Sequence, residues 1–159
     1  MHIELKRFTS NARLSQETTA FAADVWVDGR KVGSAENDGH GGATMVHLDT
    51  SIRDKVEAYG KALVPAEYAS FTGGAEWVVD QLVEAELAKR FDKKIAKADA
   101  KEKSYCAAHG LCAARFLHKT PWSQGWTWFS FPPGADPKET AAAIAAKNKT
   151  SVDELVVLS

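Results

Sequence analysis

The chain has 159 residues, 45% of them hydrophobic and 26% charged, with a net charge of −1. That size suits one domain, and that balance argues against a disordered chain. The near-zero charge excludes bulk attraction as a basis for binding nucleic acid or an anionic membrane, while leaving local patches open. Two cysteines do not make a disulfide framework. No stretch approaches the roughly 20 apolar residues of a membrane span. The opening MHIELKRF carries charges and no apolar run, unlike a secretory signal, so the expected setting is the cytoplasm, with no membrane partner.

Residues 3–8 alternate, with Ile3 and Leu5 on one face and Glu4 and Lys6 on the other, which predicts a first strand. A polar connection follows over residues 11–19. In residues 21–27, Phe21, Ala23, Val25 and Val27 share one face, and Ala22, Asp24 and Trp26 share the other. This is the pattern of a half-buried antiparallel strand. Asp28-Gly29 suits a two-residue turn that needs positive φ. Residues 31–36 return as a third strand with Val32 inward. Residues 37–44, NDGHGGAT, are glycine-rich. The backbone N–H groups of Gly39, His40 and Gly41 could form a concave anion site. No Lys-Ser/Thr follows to complete a phosphate loop, so a connection out of a strand is the plainer reading. Residues 45–48 are a candidate fourth strand.

Asp49 or Thr50 can cap a helix from Ser51, in which Ile52, Val56, Tyr59 and Leu63 form an apolar stripe that Pro65 ends. A second helix is predicted from residues 72–74 to about 105. Val78, Leu82, Ala85, Phe91, Ile95 and Ala98 lie along one side of it, widened by Trp77, Val83 and Leu87. The carboxylates Asp80, Glu84 and Glu86 read as surface. Residues 89–103 hold seven cations (Lys89, Arg90, Lys93, Lys94, Lys97, Lys101 and Lys103) against the three anions Asp92, Asp99 and Glu102. Such a run is ordinarily a solvated face. Its sharper reading is contact with a polyanion or an acidic partner. Gly110 marks the helix end. Residues 115–120 read as a strand with Phe116 and His118 on one face, and residues 121–125 as a turn. Residues 126–131, WTWFSF, read as a strand with Trp126 and Trp128 on one face and Phe129 and Phe131 on the other. Asp136, Pro137 and Glu139 start a short alanine-rich helix, and residues 154–158 close the chain as a strand.

The run DVWVDGRKVGSAENDGHGG, preceded by ARLSQETTAFAA, resembles the N-terminal region of small proteins carried by phages and other mobile elements. In these a "VDG-K-VG" hairpin leads to an "NDG-GG"-like loop. The resemblance is best over residues 3–47 and carries no catalytic residues over. It implies an accessory protein of a mobile element that acts by binding and inhibiting a host component, such as a defence complex.

Complete catalytic constellations are missing from the sequence. Cys106, His109, Cys112 and His118 are spaced C-x2-H-x2-C-x5-H, four potential zinc ligands in a spacing that matches no common finger. The plainer reading is two buried free thiols. His118-Lys119-Thr120 is an H-x-T triplet like those of two-histidine phosphoesterases, but it stands alone, and acid–base work needs a second positioned group. The aromatic cluster Trp122, Trp126 and Trp128 is a candidate contact surface if one sheet face is uncovered. Trp26 could extend it. If helices or a second copy cover both faces, these rings are core.

These readings combine into an α+β domain spanning residues 1–159. An antiparallel sheet joins the N-terminal meander to a C-terminal β-β-α-β unit, and the central helices pack mainly on one face. The expected function is non-enzymatic binding of a host or self protein, without cofactor or metal. The contact residues are expected to be Trp122, Trp126, Trp128, Lys89, Arg90, Lys93, Lys94, Lys97, Gly39, His40 and Gly41. The alternatives are nucleic-acid binding through residues 89–103, and a metal-binding or phosphodiesterase-like enzyme using His118 with residues 106–112.

Overall fold

A computed structural model describes residues 1–120 and 123–158. It contains β1 (Ile3–Ser10), β2 (Phe21–Val27), β3 (Arg30–Asn37), β4 (Met45–Leu48), α1 (Thr50–Lys61), α2 (Gly74–His109), β5 (Cys112–Thr120), β6 (Ser123–Phe131), α3 (Pro137–Asn148) and β7 (Glu154–Leu158). The α+β class expected from the sequence is the class observed. The strands form two antiparallel sheets rather than a joined one, ordered β1-β2-β3-β4 and β6-β5-β7. Alternation tells which side chains share a face but not which strands are neighbours, and here each strand set has its own core. The chain correspondingly divides into two compact units, Met1–Lys89 and Arg90–Ser159, with α2 contributing residues to each.

The first unit is a meander covered by helices. Asp28 and Gly29 both have positive φ (47° and 81°), the conformation a two-residue hairpin turn requires to match strand twist. The register of β1 on β2 slips between Lys6 and Thr9, and Arg7 sits at φ 50°. This bulge changes the parity of the strand. Ile3 and Phe8, which strict alternation would put on opposite faces, are both buried. They join Phe21, Ala23, Val25, Val27, Val32, Ala35 and Leu48 on one sheet face, against Val56 of α1 and Ala75, Val78, Val79 and Val83 of α2. Burying each such Val or Phe side chain stabilises by roughly 1.5–3 kcal/mol relative to exposure.

The stripe expected on α1 is only half buried. Ile52 and Val56 face the core, whereas Tyr59 and Leu63 are exposed and Gly60 is buried instead. The cause is a backbone crossing. A Cβ on Gly60 would meet the carbonyl of Gly74, and one on Gly74 would meet the carbonyl of Glu57. Two glycines thus let α1 touch the first turn of α2. Glu57 completes the joint by accepting the N–H of Gly74 through Oε1 and of Ala75 through Oε2, each at 2.9 Å. These are donors that no helix satisfies internally.

The second unit has two buried layers. On one face of β6-β5-β7, Ala114, Phe116, Phe129 and Phe131 pack with Ala141 and Ala145 of α3, whose small side chains permit close approach. The start of α3 is as expected at Asp136, which accepts the N–H of Lys138 at 2.8 Å, with Pro137 in the first turn. Helix α2 runs four residues beyond the expected end. It closes with Leu111 N–H donating to Cys106 C=O and Gly110 N–H to Ala107 C=O. Strand β5 starts three residues earlier than expected, because Cys112, Ala113 and Ala114 are small and carry little β signal on their own.

Two outcomes follow from the α1–α2 joint. Gly60→Ala is expected to cost about 1–3 kcal/mol in urea unfolding, since neither backbone can yield without moving a helix; an unchanged midpoint would show the crossing to be loose. Hydrogen bonds from Ala75 N–H and then Gly74 N–H, aided by Lys61, hold the Glu57 carboxyl below its ordinary pKa. A lowered folded-state pKa supplies stability that is fully present above the unfolded value, about 4.3, and is lost as pH falls through the folded one. Wild type is therefore expected to exceed Glu57→Gln by about 1 kcal/mol at pH 7, and the two should converge in acid. A gap that stays constant down to about pH 2 contradicts the assignment.

Candidate functional site

The glycine-rich loop is scaffold. Asn37 Oδ1 accepts from Thr18 Oγ1 and from Gly39 N–H, both at 2.8 Å, and Asn37 Nδ2 donates to the Gly42 carbonyl at 2.9 Å. His40 N–H goes to Asp38 Oδ1 and Gly41 N–H to Thr18 Oγ1. The three amides of the expected anion nest therefore already have acceptors. The loop then delivers Thr44, whose hydroxyl donates to Asp80 Oδ1 at 2.6 Å and whose N–H donates to Glu76 Oε1 at 3.2 Å. A cleft of about 260 Å³ beside these groups is lined by Thr18, Asn37, Glu76, Asp80 and Glu84 among others. Asp80 was expected at the surface and is half-buried. Burial, followed by the like charges of Glu76 and Glu84, raises its pKa against the pull of the Thr44 hydroxyl.

The zinc reading fails on geometry. Cys112 and His118 lie on one strand six residues apart, about 20 Å at strand rise. Cys106 is buried, with its thiol 3.8 Å from Glu102, and burial raises its pKa. His109 packs against Tyr105, ring centroids 4.3 Å apart and tilted at 31°, and is exposed. Among the described residues no three of His, Cys, Asp and Glu are grouped to hold a metal. His118 packs edge-on to Phe116, and its Nδ1 is buried without a hydrogen-bond partner among the described residues. No second acid–base group is hydrogen-bonded to it there, so the phosphoesterase arrangement is incomplete.

The tryptophans divide as expected by face, but both faces of the sheet are engaged. Pro121 and Trp122 lie outside the described residues. Trp126 and Trp128 are half-buried, on the face opposite Phe129 and Phe131. Trp128 Nε1 donates to Asp99 Oδ1 of α2 at 2.6 Å. Arg115, cross-strand partner of Trp128, places Nε 3.2 Å from the same oxygen and its guanidinium carbon 3.9 Å over the Trp126 ring. The Arg115 N–H is not aimed along the pair, so the attraction to Asp99 is charge on charge at side-chain exposures of 15% and 21%. Trp26, on the outer face of the first sheet, is likewise covered, by Lys6 at 3.9 Å.

Fixing Asp99 against the sheet sets the rotation of this half of α2. At 100° per residue, Lys93, Lys94, Lys97 and Lys101 fall within an arc of about 100°, with Asp92, Asp99 and Glu102 on the opposite side. All four lysines are exposed, and among the described residues none has an ion pair. Lys89 is exposed too, whereas Arg90 is half-buried and engaged. Phe91, assigned to the apolar side by the sequence, is 54% exposed, and Tyr105 is 52% exposed. The sequence reading missed Asp99, although a carboxylate between Ile95 and Cys106 on the apolar side is a signal for a buried partner.

Against known proteins, no family model matches the chain, and no curated protein or solved structure matches it significantly.

Asp99→Ala leaves a mostly buried guanidinium unpaired and an indole N–H without an acceptor. It is expected to cost about 3 kcal/mol, and Asp99→Asn, which keeps an acceptor for Trp128, should cost less. Urea unfolding followed by tryptophan fluorescence measures both. Equal losses would show that Arg115 and Trp128 do not depend on the charge and the acceptor separately.

Proposed function

We propose that the protein is a non-enzymatic binding protein whose contact surface is the solvent face of α2 and whose partner is acidic. The observation that carries this reading is the segregation of charge along residues 89–103. The anions Asp99 and Glu102 are engaged within the fold, and Lys93, Lys94, Lys97 and Lys101 are left outward without ion pairs among the described residues. On an otherwise neutral chain such a face raises a local positive potential that steers and holds a polyanion. The half-buried Trp126 and Trp128 contribute by fixing the helix rather than by offering rings to a partner. The N-terminal resemblance supports a mobile-element setting in which the partner is a host component.

Immobilised heparin is the direct probe. At neutral pH and low salt a chain of net charge −1 has no bulk reason to be retained. Wild type is nonetheless expected to bind and to elute with salt, because exposed charges are screened within about 8 Å at 0.15 M. The combined variant Lys93→Glu/Lys94→Glu/Lys97→Glu should pass through. Wild type in the flow-through would refute the reading.

A further inference from the structure

We infer that the polyanion is single-stranded nucleic acid, bound along α2 between Phe91 and Tyr105. The inference rests on the acidic-partner reading above and adds the chemistry of the partner. Phe91, Lys94, Lys101 and Tyr105 fall within an arc of about 80° on the helix, with Ala98 among them. The flank therefore runs aromatic, cation, small residue, cation, aromatic. The two rings are 54% and 52% exposed, and they stand about 21 Å apart along the axis, a span of about six nucleotides at duplex rise. Tyr105 packs against His109, the two rings tilted at 31° with centroids 4.3 Å apart. Lys93 and Lys97 border this flank, so phosphates can be met while bases lie on the rings.

Cations with interleaved aromatic faces are what a flexible strand with unstacked bases needs. A duplex keeps its bases stacked and would leave both rings against sugar and phosphate. An acidic peptide would use the lysines and have no requirement for the rings. An anionic membrane would call for a continuous apolar face, whereas Phe91 and Tyr105 are separated by nearly four turns, with Lys94, Ala98 and Lys101 between them on that flank.

Fluorescence anisotropy with labelled 20-nucleotide oligo(dT), the matching duplex and polyglutamate tests this, beside co-sedimentation with phosphatidylglycerol vesicles. The single strand is expected to bind at least about tenfold more tightly than the duplex, with log K falling against log salt by about 0.7 for each contacted phosphate. Phe91→Ala and Tyr105→Ala should each weaken it roughly 5- to 100-fold. Both rings are exposed, so circular dichroism should show these variants folded. Equal affinity for single strand and duplex, indifference to both ring substitutions, or preference for polyglutamate or vesicles overturns the inference and leaves the acidic-partner reading standing. Failure on all of these and on heparin removes both.

Discussion

The pairing of Asp99 with Trp128 and Arg115 is the constraint on which the second unit depends. A carboxylate in the middle of a helix can face a sheet only if something there meets its charge and its lone pairs, because burying it bare would cost several kcal/mol. The sheet offers an indole N–H at 2.6 Å and a guanidinium at 3.2 Å from one oxygen. Once that contact is made, the helix has a single rotational setting, and everything about its outer surface follows. The same guanidinium lies over Trp126, so three strand residues and one helix residue form one connected polar layer opposite the phenylalanine layer under α3. The binding surface is thus a product of the core: the anions turned inward are the reason the outward face is positive.

The two units solve the same problem, attaching a helix to a sheet, by different means. In the first, shape dominates, through glycines that let α1 meet α2 and valines that fill the space over the meander. Polar groups serve the helix end, where Glu57 accepts two amide protons. In the second, alanines set the distance on one face and a charge cluster sets the angle on the other. The glycine-rich loop belongs with the first pattern. Its conspicuous composition serves to fold the chain back onto Thr18 and to place Thr44 against Asp80.

Much of the fold was legible in the sequence. Alternation in residues 21–27 and the Asp28-Gly29 turn define the hairpin, and Asp136-Pro137 defines the start of α3. The α+β class follows from these. What alternation could not convey is neighbourhood: nothing in the parity of β5, β6 and β7 says that they pair with each other rather than with the meander. Helical periodicity failed in a related way on α2. A single apolar stripe drawn from Val78 to Ala98 takes Phe91 inward, whereas each part of a 36-residue helix answers to its own sheet. For the candidate surface, the run of lysines was visible, but its consequence was not. Whether a mixed-charge segment is neutral or positive to a partner depends on which ions the fold consumes, and Asp99 is consumed by residues 16 and 29 positions away.

The thiol of Cys106 adds a property of another kind. It is 2% exposed, stays protonated at neutral pH because burial and Glu102 oppose the thiolate, and sits in the helix segment that Asp99 orients. Alkylation requires an accessible thiolate, so this cysteine can react only when the C-terminal part of α2 lifts from its sheet. Its rate of modification in the native protein is therefore a clock for that opening, which makes Cys106 an internal reporter of local unfolding in the second unit.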